Sequence, residues 1–555
     1  MKIANHKSGA SSGKTKNSQD SNRYAGNFSS VLSPILNYQG PWDNQAAGHF
    51  LRRVTFGSSY TQIIEAKDMG HDALIDLVLA DQPMPDAPIN YYFEEDPAVP
   101  VGTTWVDVPL TQDVSQGYRA RSLRGWTVQQ AIDEGLSVRE RMVIFWHNHF
   151  VTANIGDRRF VYEYINTIRE NALGNFRDLV KLITIDPSML RYLNGNSNTK
   201  NAPNENYARE LLELFTIGKG PLVAPGDYTN YTEHDIVEIA KVLTGWRDRG
   251  HNSSTLPVYV EFVPNRHDET TKTLSHRFDE QSIENGGDQE YLSLIDIIFE
   301  KQEVARFICR KLYRYFVSDE LTEDVNNTFI EDLAQVMIDN DYEIKPTLAA
   351  LFKSDQFMKE EQRGVLIKNP LDFMMSVVKS TDVDFLQDND AAYYTMTNSL
   401  FFRLRDAQME IYKHESVAGW AAYYQAPSFS KMWLNAVTMP HRMELSNRFT
   451  INQYNNGGNS YRIDVLSYIT ELSNPFDPNV LIDDLALVFY PKSITDGQKE
   501  FLKSVLIPGL PDFEWTTEYA EYLADPSNTN VANSVRNKLR NLFDAMMNLS
   551  EFYLF

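Results

Sequence analysis

The sequence predicts a mostly α-helical globular fold with long irregular loops and at most short strands. Three observations predict it. Apolar residues recur at helical spacing through most of the 555 residues. Helix starts and stops are marked by capping residues and glycines. Only one stretch, V-Y-V-E-F-V at 258–263, alternates and is β-branched in the manner of a strand.

Taken in order, residues 1 to about 40 are polar, rich in Ser, Asn, Lys and Gly, and read as a disordered or extended tail. A helical core is expected over 41–440 and a C-terminal helical subdomain over 441–555. Ala46 to Gly57 reads as a helix closed by Gly57, followed by helices at 60–69 and 71–80. Residues 81–117 carry six prolines and read as a long ordered excursion. Helical spacing returns at 118–135. In S-V-R-E-R-M-V-I-F-W-H-N-H-F from Ser137, Ser137 and Glu140 have the spacing of a capping box. Further helices are expected at 160–172 and 176–185.

Asn204 to Gly218, N-E-N-Y-A-R-E-L-L-E-L-F-T-I-G, has both ends marked. Asn204 is a good N-cap, Glu205 suits the first turn, and Gly218 suits the end. Tyr207, Ala208, Leu211, Leu212, Leu214 and Phe215 form one apolar stripe, with Glu205 and Glu210 at its borders. Glu205 and Arg209 are spaced as an i,i+4 pair. Glu210 is expected to be mostly buried and to take its partner from another segment. Thr232 and Asp235 have the N-cap and N3 spacing of the next helix. Residues 246–290 are the least helical stretch, and helices resume to the end.

The formal charge of −23 argues against nucleic acid and anionic lipid as partners. No run of 18 apolar residues predicts a membrane span. The single cysteine, Cys309, excludes an internal disulfide and reads as a core residue of a helix. The chain has no Gly-rich phosphate loop after a strand, no G-x-S-x-G elbow and no H-E-x-x-H helix.

Chemistry-bearing residues are few. On a helix, His147 and His149 point about 200° apart, so one ion takes only one of them. His149 shares the apolar face, as a ligand or as a core histidine. His267 and Asp268, with Lys272 and His276 near, lie in the irregular stretch as ligands, an oriented base, or a surface loop. Trp420 and Trp433 suit sugar stacking or core anchoring.

H-F-L-R-R-V-T-F-G, R-M-V-I-F-W-H-N-H-F, the Asn204–Gly218 helix, Y-T-E-H-D-I-V-E-I-A-K-V-L-T-G-W and R-H-D occur in the order of one bacterial family. R-F-I-C-R-K-L-Y-R-Y-F-V, S-V-A-G-W and W-L-N extend the match. The chain resembles the domain-of-unknown-function 1800 (DUF1800) family over roughly 45–440. The resemblance implies a secreted or envelope protein of environmental bacteria, often encoded beside an alkaline-phosphatase-like, sulfatase-like partner. The family's K-x-F-L-G is here K-T-L-S-H from Lys272, which leaves the role of Lys272 open. The N-terminal residues lack the apolar region of a secretory signal, so a cytoplasmic location stays open beside the implied one.

Two functional expectations follow. One is a metal-dependent, hydrolase-type enzyme acting with that partner on a polymeric substrate. Glu205, Arg209, Glu210 and His267 would be its catalytic residues. His149, Glu210, His267 and Asp268 would hold a divalent Zn, Mn or Fe. The other is a non-catalytic structural or assembly protein of the cell surface, in which the same residues form a buried His/Glu/Arg network.

Overall fold

The computed structural model describes residues 35–110 and 115–555. The expected tail lies outside the described residues up to 34. From residue 35 the chain is tied down. Tyr38 N donates to Lys353 O at 2.9 Å, and Asp355 N donates to Leu36 O at 2.7 Å.

The fold is mostly helical, as the periodicity predicts, and the strands among the described residues form four two-stranded antiparallel pairs. The alternating stretch is one of them: Tyr259–Phe262 pairs with Trp246–Arg249. Among the described residues no helix is long and apolar enough to cross a membrane.

The helix Arg139–His149 runs through the interior, and nearly every one of its residues is buried. A helix wrapped on all sides needs its polar residues satisfied by neighbours. Arg141 donates to Asp372 at 2.5 Å. Glu140 accepts from Arg169 of the Arg158–Glu170 helix at 2.6 and 2.8 Å. The expected capping box is therefore not formed. Ser137 Oγ accepts from Arg139 N, while Glu140 N is taken by Glu134. The Glu140 carboxylate turns to the buried guanidinium, which offers two charge-assisted bonds in place of one neutral one.

The helices Ser115–Asp133 and Asp390–Asp406 pack side by side. Gly125 allows the approach, because a Cβ there would stand 3.0 Å from Tyr394 O. The 81–110 excursion is ordered around Asn90. Its amide donates to Phe93 O and Val99 O at 2.7 and 2.8 Å. Past residue 440 the chain enters the same hydrophobic core. Pro478–Phe489 lies on the Asn44–Val54 and Tyr60–Met69 helices. Phe552 and Tyr553 pack on Phe373, and Phe555 N donates to Leu366 O. Cys309 is buried in its helix, as expected.

Candidate functional site

The central helix begins as the sequence predicts. Asn204 caps it by accepting from Asn206 N at 3.0 Å. The α-helix then spans only Glu205–Glu210 and continues as a π-helix over Leu211–Thr216. Gly218 closes it with φ +72°, the left-handed conformation that glycine adopts freely. A π-turn carries one extra residue and offsets the carbonyls that follow it. Here the Leu214 and Phe215 carbonyls accept from side chains. Phe215 O takes His149 at 3.0 Å, and Leu214 O takes Lys311 at 3.2 Å.

His149 Nε2 faces a carbonyl, so that nitrogen carries the proton, and Nδ1 accepts from Lys311 Nζ at 2.9 Å. Both ring nitrogens are used within the fold. Burial and the neighbouring Lys311 charge hold the imidazole pKa well below its usual value. Burial, then Arg314, push the Lys311 ammonium down to about 7. His147 points elsewhere, as the helical spacing predicts. Its Nε2 accepts from Tyr412 N at 3.2 Å, and its ring lies 4.6 Å from that of His414. Trp420 and Trp433 are buried with their rings 6.4 Å apart, which makes them core anchors.

Arg209 is not held mainly by Glu205. Its two Nη atoms grip Glu233 at 2.9 and 2.8 Å, while Glu205 and Glu213 stand 3.8 Å away. Glu233 opens the Glu233–Val242 helix, so the fork reaches across to the next element. Bidentate geometry favours that partner over the i,i+4 pair. Glu205 is exposed. Glu210 is half-buried, and among the described residues it has no hydrogen bond and no ion pair. The expectation of a buried, specifically held Glu210 is not met. Its place at the border of the stripe leaves this carboxylate at the edge of the core. Burial, then the Glu213 charge, push its pKa up, partly offset by Arg209.

The Thr232–Asp235 capping box forms as predicted. Asp235 goes further and accepts from Ser275 N and Oγ, both at 2.7 Å, fastening the 270s loop to the helix start.

His267 sits after a short turn at Pro264–Arg266. Nδ1 lies 2.9 Å from Thr244 O, and Nε2 lies 2.8 Å from Glu290 Oε1. Thr244 Oγ1 also lies 3.1 Å from Nδ1, so both ring nitrogens are engaged. Glu290 also accepts from Lys272 at 2.7 Å and from Gly286 N at 3.1 Å. The His267, Lys272 and Glu290 side chains are at most 2% exposed. Burial alone would push the Glu290 carboxyl up, but His267 and Lys272 hold it below the usual value. Asp268 stays tied to this cluster through Lys272, whose Nζ donates to the Asp268 carbonyl and lies 3.9 Å from its carboxylate. Its side chain caps Thr270 N at 2.9 Å, and its backbone N–H donates to Thr244 Oγ1 at 2.8 Å.

The structure therefore places His149, Glu210 and the His267–Asp268 pair among different neighbours. His149 lies with Lys311 and the π-turn, His267 with Glu290 and Lys272, Asp268 between Lys272 and its own turn, and Glu210 at the helix edge. Among the described residues no group of three or more His, Cys, Asp or Glu side chains could hold a metal ion. The four residues expected as ligands therefore do not form such a group among the described residues. Sequence reasoning missed Glu290, Lys311 and Glu233. Glu290 reads only as an acidic residue in a first turn, and Lys311 as one basic residue among several on a helix.

The family described as "Protein of unknown function (DUF1800)" matches residues 49–552. The chain belongs to this family. The DUF1800 match runs past residue 440, where the motif resemblance stops, through the helices that close the core. No curated protein and no solved structure matches the chain.

Proposed function

We propose that this DUF1800 protein is a non-catalytic binding and assembly protein. Its location at the cell surface is suggested by the family resemblance alone. The observation that carries the proposal is the His267–Glu290–Lys272 cluster. The histidine that sequence reasoning offers as a base has both nitrogens committed to fixed partners inside a sealed core. A general base needs a free acceptor within reach of its substrate. His149 is committed in the same way. Side chains of this kind hold helices and loops in register, the attested use of buried charge networks.

The test combines stability with metal content. Glu290→Gln keeps the shape and leaves the buried Lys272 without its carboxylate. It should cost about 3–5 kcal/mol in urea unfolding, the cost of breaking a buried pair. Protein purified without chelator should carry no stoichiometric zinc, manganese or iron. Stoichiometric metal that disappears in Glu290→Gln or His267→Gln, with unchanged stability, would overturn the proposal. It would restore the metal-dependent hydrolase acting with a sulfatase-like partner.

A further inference from the structure

The Ser115–Asp133 helix, the start of the Arg158–Glu170 helix and the 410–413 segment enclose a cavity of about 280 Å³. Its walls carry Arg124, Arg158 and Lys413, with one carboxylate, Glu410. Glu410 sits 3.6 Å from Lys413 at the exposed rim, where both side chains reach solvent. In a chain with a formal charge of −23, a cavity walled mainly by cations is out of keeping with its surroundings.

The two arginines are held in place without being neutralised. Arg124 Nε donates to Asn398 Oδ1 at 3.0 Å, and its guanidinium lies 4.8 Å from the centre of the Phe402 ring. Arg158 Nη1 donates to Ile155 O at 3.1 Å, while its buried Nε has no partner. Among the described residues neither guanidinium has an ion pair. The adjacent Asp157 is bonded to Arg159 and to Asn252 N, and its charge offsets only part of the burial that pushes the Arg158 pKa down. Burial, then the charges of Arg158, Arg121 and Arg405, push the Arg124 guanidinium down to about 10. Like charges fixed close together in a half-buried site destabilise the empty site, and an anion between them reverses the sign. Guanidinium forks suit oxyanions, because parallel N–H donors match two oxygens of one group.

Size and lining narrow the ligand. A water occupies about 30 Å³ of liquid, so the cavity has room well beyond one bare oxyanion. Leu123, Phe401 and Ile411 give part of the wall an apolar face. Pockets of this kind orient a ligand with a few polar groups and take its body against apolar walls. We propose that this cavity binds a small organic anion. Its oxyanion head, a carboxylate, phosphate or sulfate ester, lies between Arg124 and Arg158, and its compact body rests on Phe401 and Ile411. Lys413 stands at the mouth and attracts the charge. This site stands whether or not the assembly reading is right, since it uses none of the residues of the buried clusters.

The test is calorimetric titration of the full chain at low chloride. The probes are acetate, inorganic sulfate, inorganic phosphate, glucose 6-phosphate and glucose. Glucose 6-phosphate should bind at least about tenfold more tightly than inorganic phosphate, and glucose should not bind. Arg124→Gln and Arg158→Gln should each weaken binding about tenfold or more. Lys413→Glu changes an exposed side chain and leaves the fold intact, and it should weaken binding in the same direction. Three results would overturn the site: no heat from any anion, equal affinity in the wild type and both arginine variants, or glucose binding as tightly as its phosphate.

Discussion

Lys311 shows how far one side chain can be set by a neighbouring backbone. The π-turn gives it a carbonyl, His149 gives it a lone pair, and no carboxylate pairs with it among the described residues. Its folded pKa is pushed down to about 7, against about 10.4 for a lysine in an unfolded chain. Between those values the unfolded chain holds the extra proton, so stability rises with pH. The penalty is full below about pH 7 and gone above about 10.4, with a slope of at most ~1.4 kcal/mol per pH unit. Lys311→Met removes the titration. In urea unfolding at pH 7, 8 and 9, the wild type should gain on this variant as pH rises. Parallel stabilities across the three would show that Lys311 titrates as an ordinary surface lysine.

At the scale of elements, local signals were legible and long-range ones were not. The Asn204 cap and the Thr232–Asp235 box were readable because donor and acceptor lie within three residues. The π-turn was not, because an apolar stripe at helical spacing looks the same with one extra residue in a turn. The i,i+4 spacing points Arg209 to Glu205, whereas Glu233 is 24 residues away and only the packed fold sets it against the fork. The joint between the Arg139–His149 helix and the 417–420 loop is another such contact. Asn148 Oδ1 accepts from Trp420 N at 2.8 Å, and Gly419, at φ +94°, lies directly against Asn148. A Cβ at 419 would collide with the Asn148 side-chain and backbone oxygens. Gly419→Ala should therefore cost at least about 1–3 kcal/mol, from strain and the lost Asn148 bond together. Thermal unfolding measures it, and a melting temperature within a degree of the wild type would contradict this account of the joint.

For the whole molecule, the helical class followed from periodicity, while the candidate site did not. His149 and His267 were singled out from the sequence, and each is buried and fully bonded, but with different neighbours. Sequence position carries no information on which of two buried histidines shares a cavity with which carboxylate. Specific contacts join the C-terminal helical subdomain expected from residue 441 to the rest of the core. Arg52 of the first described helix donates to Leu487 O at 2.7 Å. The Phe555 ring lies 5.5 Å from Arg53 and 5.3 Å from Arg141, so two buried cations near the start of the core are covered by the last residue. Ile367 and Leu554 pair as an isolated bridge. We infer that residues 441–555 depend on these contacts to complete their core. Residues 441–555 expressed alone should thus lack a cooperative melting transition. The chain cut after residue 440 should expose the surfaces that Phe552, Tyr553 and Phe555 cover and fail to reach wild-type stability. Calorimetry of the full chain should give one main transition. A separately melting 441–555 fragment, with its transition also visible in the intact chain, would show instead that the C-terminal helices form a folding unit of their own.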